Sequence, residues 1–148
     1  MKTLILTAAA VVFAAPALAQ TPAPLNVELP PVQGVTADLT CGGKTAIAQQ
    51  ATCVATTQAG IADVVSTYTA DFERQGWLAA GGGDNLIIYV KRKPDGGCDG
   101  FQMLAFADDT RVPAPGAPAW LALATIPGDV CARPASQAPV AGPPAPGQ

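Results

Sequence analysis

Cys41, Cys53, Cys98 and Cys131 are the residues whose type and spacing first suggest chemistry, and that chemistry is cross-linking. Thiol redox work uses a close C-x-x-C pair, and structural zinc uses Cys clustered with Cys or His. Here the cysteines stand far apart, and the chain has no His at all. An even number of cysteines in an exported chain is a disulfide framework. In the chain-entropy description, a Cys41–Cys53 bridge contributes about 3 kcal/mol and a Cys98–Cys131 bridge about 4 kcal/mol.

The missing imidazole removes Ser-His-Asp and Cys-His nucleophilic catalysis. Acid–base work would fall to a carboxylate, Lys, Tyr or Cys with a displaced pKa. No pair of acids is singled out by spacing, no G-x-S-x-G nucleophile motif is present, and the EF-hand order of Asp residues is absent. The runs Gly81–Gly83 and Gly96–Gly97 lack the Lys and Ser/Thr of a phosphate loop and read as turns. No metal and no cofactor is expected. Two charged groups remain as candidate partner contacts: Lys91, Arg92 and Lys93, and Asp108, Asp109 and Arg111. Lys44 reads as an ordinary exposed lysine.

The elements that position these groups are legible in part. Ile61, Val64, Val65, Tyr68 and Phe72 fall on one face of a helix from about Ile61 to Gln75. Arg74 and Gly76 are stop signals, and Trp77 is expected to pack back into the core. Asn85 to Arg92 is rich in β-branched and aromatic residues, Pro94-Asp95-Gly96-Gly97 turns the chain, and Phe101 to Ala107 returns as a hairpin. A loop with three prolines leads to a further strand, Trp120 to Ile126, in which Trp120 is expected to face the core. If those last two strands pair antiparallel, Cys98 and Cys131 meet at one sheet edge, leaving Cys41 for Cys53. The stretch 35–56 reads as a first strand through Val35, Ala37, Leu39 and Cys41, then an irregular or short helical segment, with the Thr-rich run Thr52 to Thr57 equally suited to an extended path.

The flanks differ in kind. Lys2, an apolar run from Leu4 to Phe13, and Ala17-Leu18-Ala19 have the order of a secretory signal peptide cleaved after Ala19. The run is too short to span a bilayer. No stable membrane insertion is expected after cleavage, and the localisation is periplasmic or secreted. Residues 20–34 are a Pro-rich extended segment, 35–132 the folded domain, and 133–148 a Pro/Ala-rich tail expected to be disordered. Eight basic side chains oppose eleven acidic ones, a net charge of −3 that argues against nucleic acid.

The fold class expected is therefore α+β, one main helix packed on a three- to four-stranded antiparallel sheet stapled by two disulfides. The function expected is that of a non-catalytic periplasmic binding or interaction module, its partner an envelope protein or cell-wall component. A small-ligand carrier or sensor, with a pocket between helix and sheet, and a carboxylate-based hydrolase are the alternatives.

Overall fold

The computed structural model describes residues 24–132. The leader over 1–19 and the segment 133–148 lie outside the described residues. The chain order is β1 (Thr36–Ala37), α1 (Thr45–Ala48), β2 (Thr52–Thr57), α2 (Ile61–Arg74), β3 (Leu78–Gly83), β4 (Leu86–Arg92), β5 (Cys98–Ala107) and β6 (Pro118–Ile126). The fold is α+β, with one main helix and a single antiparallel sheet ordered β1-β2-β6-β5-β4-β3.

That sheet has six strands, two more than the largest sheet expected. One extra strand is β3, Leu-Ala-Ala-Gly-Gly-Gly, whose glycines read as turns. Ala and Gly have little strand preference of their own. Their strand conformation comes from pairing with β4 after the two-residue link Asp84-Asn85, with a bulge between Ala79 and Gly81. The other is β2, in the stretch read as irregular or helical, which pairs along its whole length with β6. The first strand is shorter than expected. Asp38 ends it by accepting hydrogen bonds from Thr40 N, Thr40 Oγ1 and Gly42 N, which turns the chain locally.

Helix α2 follows its sequence pattern. Val64, Tyr68 and Phe72 are buried against one face of the sheet. Its end is closed by Trp77 N–H donating to Phe72 O and Gly76 N–H donating to Glu73 O, with Gly76 at φ +88°. This is the Schellman arrangement, and it delivers Trp77 into the core at 1% exposure. Phe72 lies edge-on to Tyr89 and Phe101, and Trp77 edge-on to Phe101. Aromatic pairs in this geometry gain about 1 kcal/mol beyond their buried area.

Residues 24–35 cross this same core without joining the sheet. Val27 is buried, and Leu25, Leu29, Val32 and Val35 pack around it. The side-chain amide of Gln75 holds both backbone groups of Glu28: Oε1 accepts from Glu28 N at 2.9 Å and Nε2 donates to Glu28 O at 2.8 Å. Both disulfides have the connectivity expected, Cys41–Cys53 and Cys98–Cys131. Among the described residues no helix is long and apolar enough to cross a membrane.

Candidate functional site

A sheet with one helix on it has a second face, and here that face is apolar. Side chains alternate across a strand. Ile87, Tyr89, Phe101 and Met103 point to α2, so Leu86, Ile88 and Val90 of β4, with Leu104 and Phe106 of β5, point away. Leu104 and Phe106 border a small second cluster of Cys41, Cys53 and Ala122, sheltered by Ile47 and Ala48 of α1. Leu86, Ile88 and Val90 belong to neither cluster. Leu78 of β3, paired with Val90, is 65% exposed. Gln102 is the single polar side chain in the outward set of β5 between Gly100 and Phe106. Outward positions of an antiparallel sheet are ordinarily polar when they face water.

One end of this face is held by a built corner. Trp120 does not enter the α2 core as expected. It is half-buried on the open side, stacked on Phe106 with ring centroids 5.7 Å apart, and its Nε1 donates to Asp38 Oδ2 at 2.8 Å. The bonds from Thr40, then from Gly42, hold the Asp38 carboxyl well below the usual carboxylate range, with Trp120 adding to them. Gly42 lies flat on the indole: a Cβ there would come within 2.7 Å of the ring. Lys44 is not a free lysine; it pairs with Asp109 at 3.2 Å and ties this corner to the loop after β5. Leu39 and Val112 stand exposed on the two loops so joined.

The charged candidates lie at opposite ends of the open face. Lys91, Arg92 and Lys93 close β4, while Asp108, Asp109 and Arg111 follow β5, about 30 Å away at the usual rise per residue. Lys91 is committed to the fold. Its Nζ donates to Gln75 O at 2.7 Å and sits 5.8 Å over the Trp77 ring, on the α2 side. Lys93 pairs with Asp99 at 3.9 Å, and Arg111 with Asp108 at 3.0 Å. Asp108 is held low by the Thr110 hydroxyl and backbone N–H.

Two hollows border the sheet. Between α2 and the sheet a cavity of about 70 Å³ is lined by Val65, Asn85, Ile87 and Met103. On the open side a groove of about 280 Å³ runs between α1 and the β5–β6 pair, lined by Ile47, Ala51, Gln102, Leu104, Ala122 and Ala124. Asp129 lies close to both sulfurs of the Cys98–Cys131 bridge. Those sulfurs are spent on each other, and Asp129 Oδ1 accepts from the N–H groups of Cys98 and Cys131. The group is a structural knot, and its bonds to Cys98 and Cys131 hold the Asp129 carboxyl low.

The apolar face had a signal in the sequence. Leu86-Ile87-Ile88-Tyr89-Val90 is an unbroken apolar run, the pattern of a strand covered on both sides. Among the described residues there is a single main helix, and it packs on the side of Ile87 and Tyr89 only. Comparison with protein-family models, curated proteins and solved structures gives no match for this chain.

Proposed function

We propose that this chain is an exported, non-catalytic interaction module of the cell envelope, and that it holds a partner protein by an apolar segment laid on the open face of β4–β6. The observation that carries the reading is the set Leu86, Ile88, Val90, Leu104 and Phe106, apolar and outward-facing, with charged groups at both ends. Contiguous apolar surface rimmed by polar residues marks protein contact. Branched aliphatic side chains suit a protein segment better than a glycan, which needs hydrogen-bonding groups beside its aromatic platforms. The two formed disulfides fit an oxidising compartment.

The carboxylates support the same direction. A general acid at neutral pH needs a raised pKa, and the shifts found at Asp38, Asp108 and Asp129 all run downward through hydrogen bonding. The groove of about 280 Å³ favours a second reading, a small apolar ligand held beside α1. It lies at the lower edge of the usual range for ligand pockets, about 300–1,000 Å³, and the helix–sheet cavity falls far below it. Native mass spectrometry of protein taken from its own compartment distinguishes the two by the bound mass.

The test is crosslinking in the native compartment with three forms of the chain. The wild type and Lys93→Glu are expected to capture one common protein, and Ile88→Lys to lose it. Capture that survives Ile88→Lys would remove the face from the proposal.

A further inference from the structure

The two edges of the sheet are unequal. β1 is only two residues long, which leaves little edge to pair. β3, at the other edge, has six residues, all exposed, with no charged side chain and no Pro. Among the described residues no strand pairs with its outer side and no loop backbone bonds to it.

Which backbone groups point outward follows from the ladder. Ala105 N–H donates to Asn85 O and Lys93 N–H to Gly97 O, so the odd-numbered residues of β4 turn their backbone groups to β5. The even-numbered ones, Leu86, Ile88 and Val90, therefore bond β3 through Gly83, Gly81 and Leu78. Ala79 and Gly82, opposite Tyr89 and Ile87, are left with N–H and C=O on the outer side. The bulge between Ala79 and Gly81 is what sets an odd and an even residue on the same side.

That arrangement is self-complementary. About a two-fold axis between Ala80 and Gly81, Ala79 of one copy meets Gly82 of the other, and each such pair exchanges both backbone bonds. In the same register Leu78, 65% exposed, falls opposite Gly83, on the side of the sheet it shares with Leu86. A Cβ at Gly83 meets nothing within 4 Å, so the space beside it is open to the leucine. Asp84 falls opposite Trp77, over whose ring Lys91 Nζ sits at 5.8 Å. Both lie on the α2 side, Asp84 at the rim of the helix–sheet cavity and Trp77 in the core. Asp84 belongs to no ion pair among the described residues. Each copy thus sets a carboxylate against the other's Lys91, and backbone, leucine and charge agree on one register.

We propose that two copies of this chain pair antiparallel through β3, continuing the sheet across a two-fold axis. The contact consumes β3 on both copies, so it closes as a dimer and does not grow. The edge is about 20 Å long, which keeps the interface below the roughly 1,200 Å² of a stable complex. The dimer is therefore weak, with a dissociation constant on the order of 0.1 mM. Nothing in the pairing depends on what occupies the open face of β5 and β6.

The test is sedimentation velocity and solvent-exchange NMR on the mature chain between about 10 μM and about 1 mM. The wild type should pass from mostly monomer to mostly dimer over that range. The Ala79 and Gly82 amides should exchange about fourfold more slowly at its upper end. Those of Gly81 and Gly83, already bonded to β4, should not change. Leu78→Asp should raise the dissociation constant about tenfold, and Asp84→Lys about threefold, with circular dichroism to verify that each variant is folded. A monomer at every concentration would overturn the proposal. So would a dimer in which Ala79 and Gly82 exchange freely, since another surface would then hold it. Protection of both amides already in the dilute monomer would also overturn it, by showing the edge covered within one chain.

Discussion

Trp120 Nε1 and Asp38 Oδ2 meet at 2.8 Å across a sequence separation of 82 residues, joining the start of β6 to the turn after β1. The carboxylate also serves Thr40 and Gly42, so one ionised group organises the loop that carries Cys41 and the indole that rests on Gly42. A carboxylate with a lowered folded pKa stabilises above its unfolded value, and that contribution is lost as pH falls through the lowered value.

The corner at Asp38 should therefore outlast ordinary carboxylate titration. The Trp120 indole N–H resonance is expected to keep its native position as pH falls through 3.8, the ordinary Asp value, and to move only in stronger acid. Asp38→Ala should give the displaced resonance at neutral pH. A native resonance in that variant would show that the bond does not hold the indole.

Gly82 and Gly81 make a matched pair in β3. A Cβ at Gly82 would meet Leu86 O at 1.9 Å with φ at +148°, while one at Gly81 meets nothing within 4 Å. Gly82→Ala is expected to cost about 2–3 kcal/mol in urea unfolding. Gly81→Ala should be neutral or stabilise by a few tenths of a kcal/mol. Similar losses at both positions would mean that β3 is destabilised by Ala generally and not by the clash.

Gln75 is the clasp on the N-terminal crossing. Gln75→Ala removes two hydrogen bonds to Glu28 and one to Asp71. The expected loss is about 1–2 kcal/mol, with faster proteolysis confined to the stretch around residues 24–34. Uniformly faster cleavage along the chain would point to a global effect.

Removing the bridges tests how the two ends of the domain are held. Cys98→Ala/Cys131→Ala is expected to cost about 4 kcal/mol and Cys41→Ala/Cys53→Ala about 3 kcal/mol. The first should also free residues 127–132 from Gly100, seen as rapid amide exchange at Val130. Slow exchange there would assign the hold to the Val130 N–H bond to Cys98 O together with the bonds of Asp129.

The legible parts of the fold are those where local pattern and tertiary environment agree. Helix α2 carries its apolar stripe and its stop signals in order, and β4 and β5 are joined by a turn with the residues such a turn requires. β3 is hidden because Ala79 to Gly83 have no strand preference, and only pairing with β4 extends them. β2 is hidden because Thr and Ala suit either state until β6 offers its edge. A strand position points Trp120 to the core, although its place beside Phe106 and within reach of Asp38 puts it on the other side of the sheet. The open face needs both facts together: that β4 is apolar on both sides, and that among the described residues the one main helix covers only one of them.

The order of the bridges also bears on how such a chain is made. Cys41 bonds to the next cysteine in the chain, and Cys98 to the next after that. Neither bond spans α2, and the second closes only the β5–β6 end of the meander. For a chain oxidised as it emerges amino end first, each new cysteine meets its native partner as the nearest one free. An oxidant that joins thiols in order of appearance makes both native bonds directly, so maturation needs no shuffling of wrongly paired cysteines.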